Sequence, residues 1–159
     1  YKIGDTVKFT CLNPFRIKIT GRTKHFINVF GEELVIENAE KALSLTSELT
    51  KSSISDYTVG PVFMGSKTKG SHEWLIEFDK QPDDLSKFME ILDLNLQSLN
   101  SDYEAKRYKS STLELPKLVV ARKNLFYDWL SSKNKLGGQN KIPRLSNSRE
   151  FIEELISMN

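Results

Sequence analysis

One cysteine, Cys11, and two histidines, His25 and His72, are all the thiol and imidazole chemistry that the 159 residues offer. An intramolecular disulfide is excluded, no metal-spaced Cys/His cluster exists, and no Ser-His-Asp or Cys-His constellation can be argued from two isolated imidazoles. Cys11 sits in strand context as a small apolar side chain, in agreement with a reducing compartment. Neither charge sign dominates: 23 Lys and Arg face 21 Asp and Glu for a net +2. A typical nucleic-acid binder is more basic, so any cationic function here must be local. No apolar run approaches the roughly 20 residues needed to span a bilayer, and no charged-then-apolar signal opens the chain. A soluble, cytoplasmic protein without membrane contact is expected. The phosphate-cradling patterns GxxxxGK[ST] and GxGxxG are missing too. The chain opens on Tyr1 rather than Met, which reads as processing or as a piece of something longer.

What is present supports one ordinary core, with 38% hydrophobic and 28% charged residues. Strands are expected at Thr6 to Leu12 and Arg16 to Thr20, paired as a hairpin around Pro14, with a third at Phe26 to Phe30. From about Glu33 the apolar period changes to helical, through Val35, Ala39, Ala42, Leu43 and Leu49. Further strands are expected at Tyr57 to Met64, Glu73 to Asp79 and Leu118 to Ala121. In Glu73 to Asp79, Trp74, Ile76 and Phe78 alternate with acidic residues, and Leu75 breaks the alternation; one face should be buried and the other partly wet. Asp83 or Asp84 should cap a helix carrying Leu85, Phe88, Met89, Leu92, Leu96 and Leu99. "NSDYEAKRYK" either extends that helix or starts another, and Leu125 to Ser132 is helical. Asn147 or Ser148 should cap a terminal helix through Met158. Strands and helices mix without βαβ regularity, so the expected class is α+β, a small mixed sheet packed with helices and preceded by a hairpin.

Three segments hold the polar groups that packing does not explain. In "YKIGD", Asp5 follows a glycine turn, where a short carboxylate can accept hydrogen bonds from vicinal hydroxyls such as those of a ribose; by turn chemistry alone, an Asp that ends a turn is the better account. In "TGRTK", Arg22 and Lys24 place a guanidinium fork and a mobile ammonium on one turn between strands. In "KLGGQNKIPR", two glycines free the backbone, Pro143 stiffens the C-terminal side, and Lys141 is a cation in a locally uncharged run, able to meet a phosphate or a developing negative charge. Each of these cations could also be a solvated surface residue.

In this order, "YKIGD" with "VKFT", "ITGRTKHFINVFGEELVIENAEKAL", "LNSDYEAKR" and "GGQNKIPR" resemble the C-terminal part of the Gretchen Hagen acyl acid amido synthetases, the auxin-responsive family, in its bacterial type. That family belongs to the adenylate-forming superfamily. The resemblance implies that Asp5 holds the ribose hydroxyls of the nucleotide, with Tyr1 nearby and Arg22 touching it. Lys24 would be the hinge about which the small domain turns, and Lys141 the lysine inserted during adenylation. Tyr103 and Arg107 match family positions of domain-interface or structural kind. Residues 1–23 would then be the terminal hairpin of a large N-terminal domain with the hinge approach, and 24–159 the small mobile C-terminal domain. The implied cofactor is ATP with Mg, bound mostly by the large domain, whose phosphate loop, acyl pocket and most adenine contacts this chain lacks. The implied substrates are a carboxylic acid and an amino acid, joined through an acyl-adenylate; no metal ligand and no nucleic-acid partner are assigned. The fragment alone is expected to be inactive.

Three other readings compete. An acyl-CoA ligase would use the same adenylation half-reaction. A sheet-based RNA-binding module would use Arg16, Lys18, Lys67 and Lys69 with nearby aromatics. A non-catalytic interaction domain would leave the basic turns merely solvated.

Overall fold

The computed structural model describes residues 5–22, 26–66, 68–137 and 141–159. The elements run β1 Asp5–Leu12, β2 Phe15–Arg22, β3 Phe26–Ile27, β4 Leu34–Val35, α1 Ile36–Thr50, β5 Ser53–Val62, β6 Ser71–Lys80, α2 Leu85–Leu99, α3 Ser101–Arg107, β7 Lys117–Ala121, α4 Leu125–Ser132 and α5 Glu150–Met158. The α+β class and the leading hairpin are as expected.

β6 is the middle of a three-stranded sheet, antiparallel to β5 and parallel to β7. Being central, it is covered on both sides, which corrects the expectation of one wet face. Trp74 and Ile76 enter the core under α1 and α2, with Ala39, Ala42, Phe88, Leu92 and Leu96. Leu75, on the opposite face, packs with Leu125, Phe126, Trp129, Ile152 and Leu155 of α4 and α5. The residue that breaks the alternation is therefore the one that serves the second core. The acidic positions are absorbed as well. Glu77 is buried and accepts the Asn124 N–H at 2.7 Å, and Glu73 pairs with Arg149 at 2.7 Å. α5 approaches β5 closely because residue 60 is glycine: a Cβ there would lie 2.9 Å from the Ile152 Cγ2. Both faces of the three-stranded sheet are thus covered.

Local chemistry sets the element ends. Asp84 caps α2, its Oδ1 accepting the Lys87 N–H at 2.9 Å. Asn100 ends α2 in extended geometry, and its Oδ1 accepts the Tyr103 N–H at 2.8 Å, so "SDYEAKR" starts a new helix. The expected strand at Phe26 to Phe30 shrinks to Phe26–Ile27, paired with Leu34–Val35, because Gly31 at φ +83° and Glu33 at φ 39° turn the chain back. α5 begins at Glu150 without a side-chain cap. Asn147 is used elsewhere: it accepts the Asn28 N–H at 2.8 Å and donates to the Phe26 carbonyl at 3.0 Å. Ser148 is likewise no cap; its N–H is held by the Ser146 hydroxyl at 3.1 Å.

The β1–β2 hairpin is a separate two-stranded sheet around Asn13 and Pro14. Val7, Phe9 and Ile17 are each about half exposed, and Leu12 and Phe15 more so.

Candidate functional site

Strand pairing in the hairpin sets Asp5 opposite Arg22. Seventeen positions apart in sequence, the two residues are cross-strand neighbours in space. An acidic and a basic position thus share the open end of one ladder. Tyr1 and Lys24 lie outside the described residues, as do the three residues 138–140 before Lys141.

Lys141 is exposed, and the residues on its C-terminal side are fixed. Ile142 is buried in the α4/α5 core, whereas Leu145 is fully buried in the α1/α2 core. Between them the chain adds to the free edge of β5. The Thr58 hydroxyl donates to the Pro143 carbonyl at 2.6 Å, the Val59 N–H to the Arg144 carbonyl at 2.9 Å, and the Ser146 N–H to the Val59 carbonyl at 3.1 Å. Arg144 Nη1 pairs with Asp56 Oδ1 and donates to the Tyr57 carbonyl at 3.1 Å, with its guanidinium 4.6 Å above the Tyr57 ring. Tyr57 in turn stacks on Trp74 at 6.0 Å. A shallow groove of about 400 Å³ runs beside this strap, between Glu40 and Ser44 of α1 and Arg144. The strap presents one ammonium from a rigid mount.

Tyr103 and Arg107 belong to the interior. The Tyr103 hydroxyl donates to Asp93 Oδ1 at 2.7 Å, and Arg107 grips the same carboxylate through Nε at 2.7 Å and Nη2 at 2.9 Å, while its Nη1 reaches the Leu113 carbonyl at 2.7 Å. Burial and the facing Asp93 carboxylate push the Tyr103 phenol well above its usual value, so it remains a donor. Burial alone would lower Arg107, but Asp93 outweighs it and raises the guanidinium.

A second buried pair adjoins this network. His72 Nε2 lies 2.9 Å from Glu32 Oε1, both side chains fully buried, and the His72 ring is 5.7 Å from that of Tyr103. The other Glu32 oxygen accepts the Phe30 N–H at 2.7 Å, and the Asn100 amide donates to the carbonyls of Glu32 and Glu33 at 3.1 and 3.2 Å. Burial raises the Glu32 carboxyl, yet the hydrogen bond and charge of His72, with the Phe30 N–H, win and hold it below its ordinary value. The sequence reading gave His72 no role, although it alternates with Trp74 and Ile76 and that period alone marks it as inward-facing. Asp93 likewise lies on the apolar stripe of α2, between Met89 and Leu96, whereas Glu32 and Arg144 carry no such periodic signal.

Among the described residues, no group of three or more His, Cys, Asp or Glu could hold a metal ion, and no helix is long and apolar enough to cross a membrane. A family model described as the GH3 family C-terminal domain matches residues 37–150, well over half the chain. In fold, 98% of this chain aligns with 30% of GH3.15 acyl acid amido synthetase, at TM-score 0.76 and 19% identity. It aligns equally with 29% of AtGH3.15 acyl acid amido synthetase in complex with 2,4-DB, at TM-score 0.72 and 17% identity. No curated protein matches the chain. The chain thus spans about 30% of the length of these synthetases, and the hairpin at residues 5–22, outside the family match, is inside the structural one. With the family model running from α1 to the start of α5, and the fold around it shared, this chain belongs to the GH3 (Gretchen Hagen) family as its C-terminal domain.

Proposed function

We propose that the chain is the small, rotating part of an ATP-dependent acyl acid amido synthetase of bacterial type, working in the cytoplasm. The full-length enzyme would adenylate a carboxylic acid and pass the acyl group to an amino acid, giving an amide and AMP. Residues 1–23 would close the large N-terminal domain and residues 24–159 would turn on Lys24. The observation that carries the reading is the mounting of Lys141. An exposed ammonium stands at the start of a strap that is buried in two cores and bonded along the β5 edge.

Asp5 would accept the ribose hydroxyls, with Tyr1 beside the nucleotide and Arg22 reaching it from the facing strand. Lys141 would meet the negative charge that gathers as the carboxylate attacks the α-phosphate and pyrophosphate departs. ATP, when bound, supplies the activated phosphorus and the leaving group; Mg would be held mainly by groups of the large domain. Lys141 would not transfer a proton in this scheme: its contribution is a fixed positive charge, delivered when the small domain swings in and withdrawn before the amine attacks.

Pyrophosphate exchange in the full-length protein, with ATP and a panel of carboxylic acids, tests this. Lys141→Ala should slow acid-dependent exchange by roughly 100- to 1,000-fold while amide formation from supplied acyl-adenylate continues. Unchanged exchange would remove Lys141 from the chemistry.

A further inference from the structure

We infer that Arg144, clamped by Asp56 and Tyr57, is a positioning residue that sets where the Lys141 ammonium points. The inference rests on the catalytic reading of Lys141 and on the mechanics of the strap.

Buried apolar anchors fix depth but hold orientation loosely. Ile142 and Leu145 enter opposite cores, so the strap cannot lift away from β5. Neither side chain, however, resists a small roll of the strap about its own axis, because dispersion contacts are non-directional. Arg144 does resist it. Its Nη1 donates to a carboxylate and a carbonyl together, and the guanidinium carbon lies 4.6 Å from the centroid of an aromatic ring, a combination that a rotated guanidinium could not keep. The partner side is equally fixed. Asp56 Oδ1 also accepts the Tyr57 N–H at 2.8 Å, and the Tyr57 ring is pressed against Trp74, which is fully buried.

The clamp transmits its orientation to Lys141 because the intervening backbone is stiff. Pro143 has its φ locked by the ring, and Ile142, which precedes a proline, is confined to extended geometry. Arg144 and Lys141 are three residues apart, about 10 Å along an extended chain. Few soft torsions separate them. This also gives a reason for arginine here: lysine would supply the charge but not the delocalised guanidinium over the Tyr57 ring.

A double-variant cycle in the full-length protein, read as the single-turnover rate of pyrophosphate formation, tests the inference with wild type, Arg144→Ala, Lys141→Ala and the double variant. Displacing a reacting group by about 1 Å costs up to about 100-fold. Arg144→Ala should therefore slow adenylation about 10- to 100-fold, with the KM for ATP little changed. In the Lys141→Ala background the same substitution should have no further effect, since there is no ammonium left to misplace. Arg144→Lys should recover only part of the rate, and it replaces Arg144→Ala in the cycle if the alanine variant fails to fold.

The outcomes separate cleanly. An equal slowing in both backgrounds makes Arg144 a merely structural residue and overturns the inference, leaving Lys141 catalytic. Full activity in Arg144→Ala overturns it too. Unchanged adenylation in Lys141→Ala alone sinks the catalytic reading itself, and the inference with it. Slow hydrogen exchange at the Ser146 amide in Arg144→Ala, with adenylation lost, would show the strap still docked but misdirected, which supports orientation rather than attachment as the role of the clamp.

Discussion

Two corners of this molecule hold an arginine against a carboxylate, and they are built to different ends. At the α2–α3 corner, Arg107 and Asp93 are 10% and 5% exposed, and four hydrogen bonds from Arg107 and Tyr103 surround one carboxylate and one carbonyl. At the strap, Arg144 and Asp56 are 30% and 29% exposed, and the neighbouring Lys141 stands in the open. A charge enclosed by protein must be fully paired, because an unpaired one costs several kcal/mol. A half-exposed one is screened by water and can be spent on orientation. The first corner holds the fold; the second aims a side chain. Tyr103 and Arg107 fall in the first, where both bind the Asp93 carboxylate.

That contrast can be tested by thermal or denaturant unfolding, with stability and activity ranking the variants in opposite order. Arg107→Ala should be the most damaging to stability, by about 3–5 kcal/mol, since it strands the Asp93 carboxylate in the interior; loss of less than about 1 kcal/mol would mean that water reaches the site.

Glu32→Gln comes next, at about 1–3 kcal/mol near neutral pH from the weakened buried hydrogen bonds. Its pH dependence makes the test more specific. The Glu32 carboxyl lies below its ordinary value in the fold, so its contribution is present above the unfolded value, about 4.3. It is lost as pH falls through the lower, folded value. The stability gap between wild type and Glu32→Gln should therefore narrow and close as pH falls below about 4. A gap that persists in acid would put the effect down to shape rather than charge.

Arg144→Ala should cost only about 1–2 kcal/mol, from a screened ion pair and one carbonyl hydrogen bond. Lys141→Ala should change stability by no more than about 0.5 kcal/mol, as for other exposed side chains without partners to strand. If Lys141→Ala destabilised as strongly as Arg107→Ala, the strap would be a structural corner like the other, and the contrast would collapse.

Much of the fold was legible in the sequence. Ala39, Ala42 and Leu43 gave α1 by their spacing, and Phe88, Met89, Leu92 and Leu96 gave α2, because a helix must turn one stripe to the core. Asp84 could be read as a cap because its carboxylate meets free N–H groups at fixed spacing. The misses share a cause. Asn147 looks like a cap to any local reading, but its amide is taken by Phe26 and Asn28, about 120 positions away. Likewise the short β3 ends because Gly31 and Glu33 turn the chain, placing Glu32 against His72, 40 positions on.

Local sequence was sufficient for the periodic elements, the α+β class, and the three segments where cations and a carboxylate stand without a packing reason. Periodicity, caps and turns act over a few residues, so one short window contains the whole cause. Which charges became interior was settled by tertiary packing. It set Asp5 opposite Arg22 by strand register, enclosed Asp93 between α2 and α3, and laid residues 142–146 along β5. The last two pairings depend on distances between residues far apart in the chain, and such distances exist only once burial of the two cores has fixed their elements against one another.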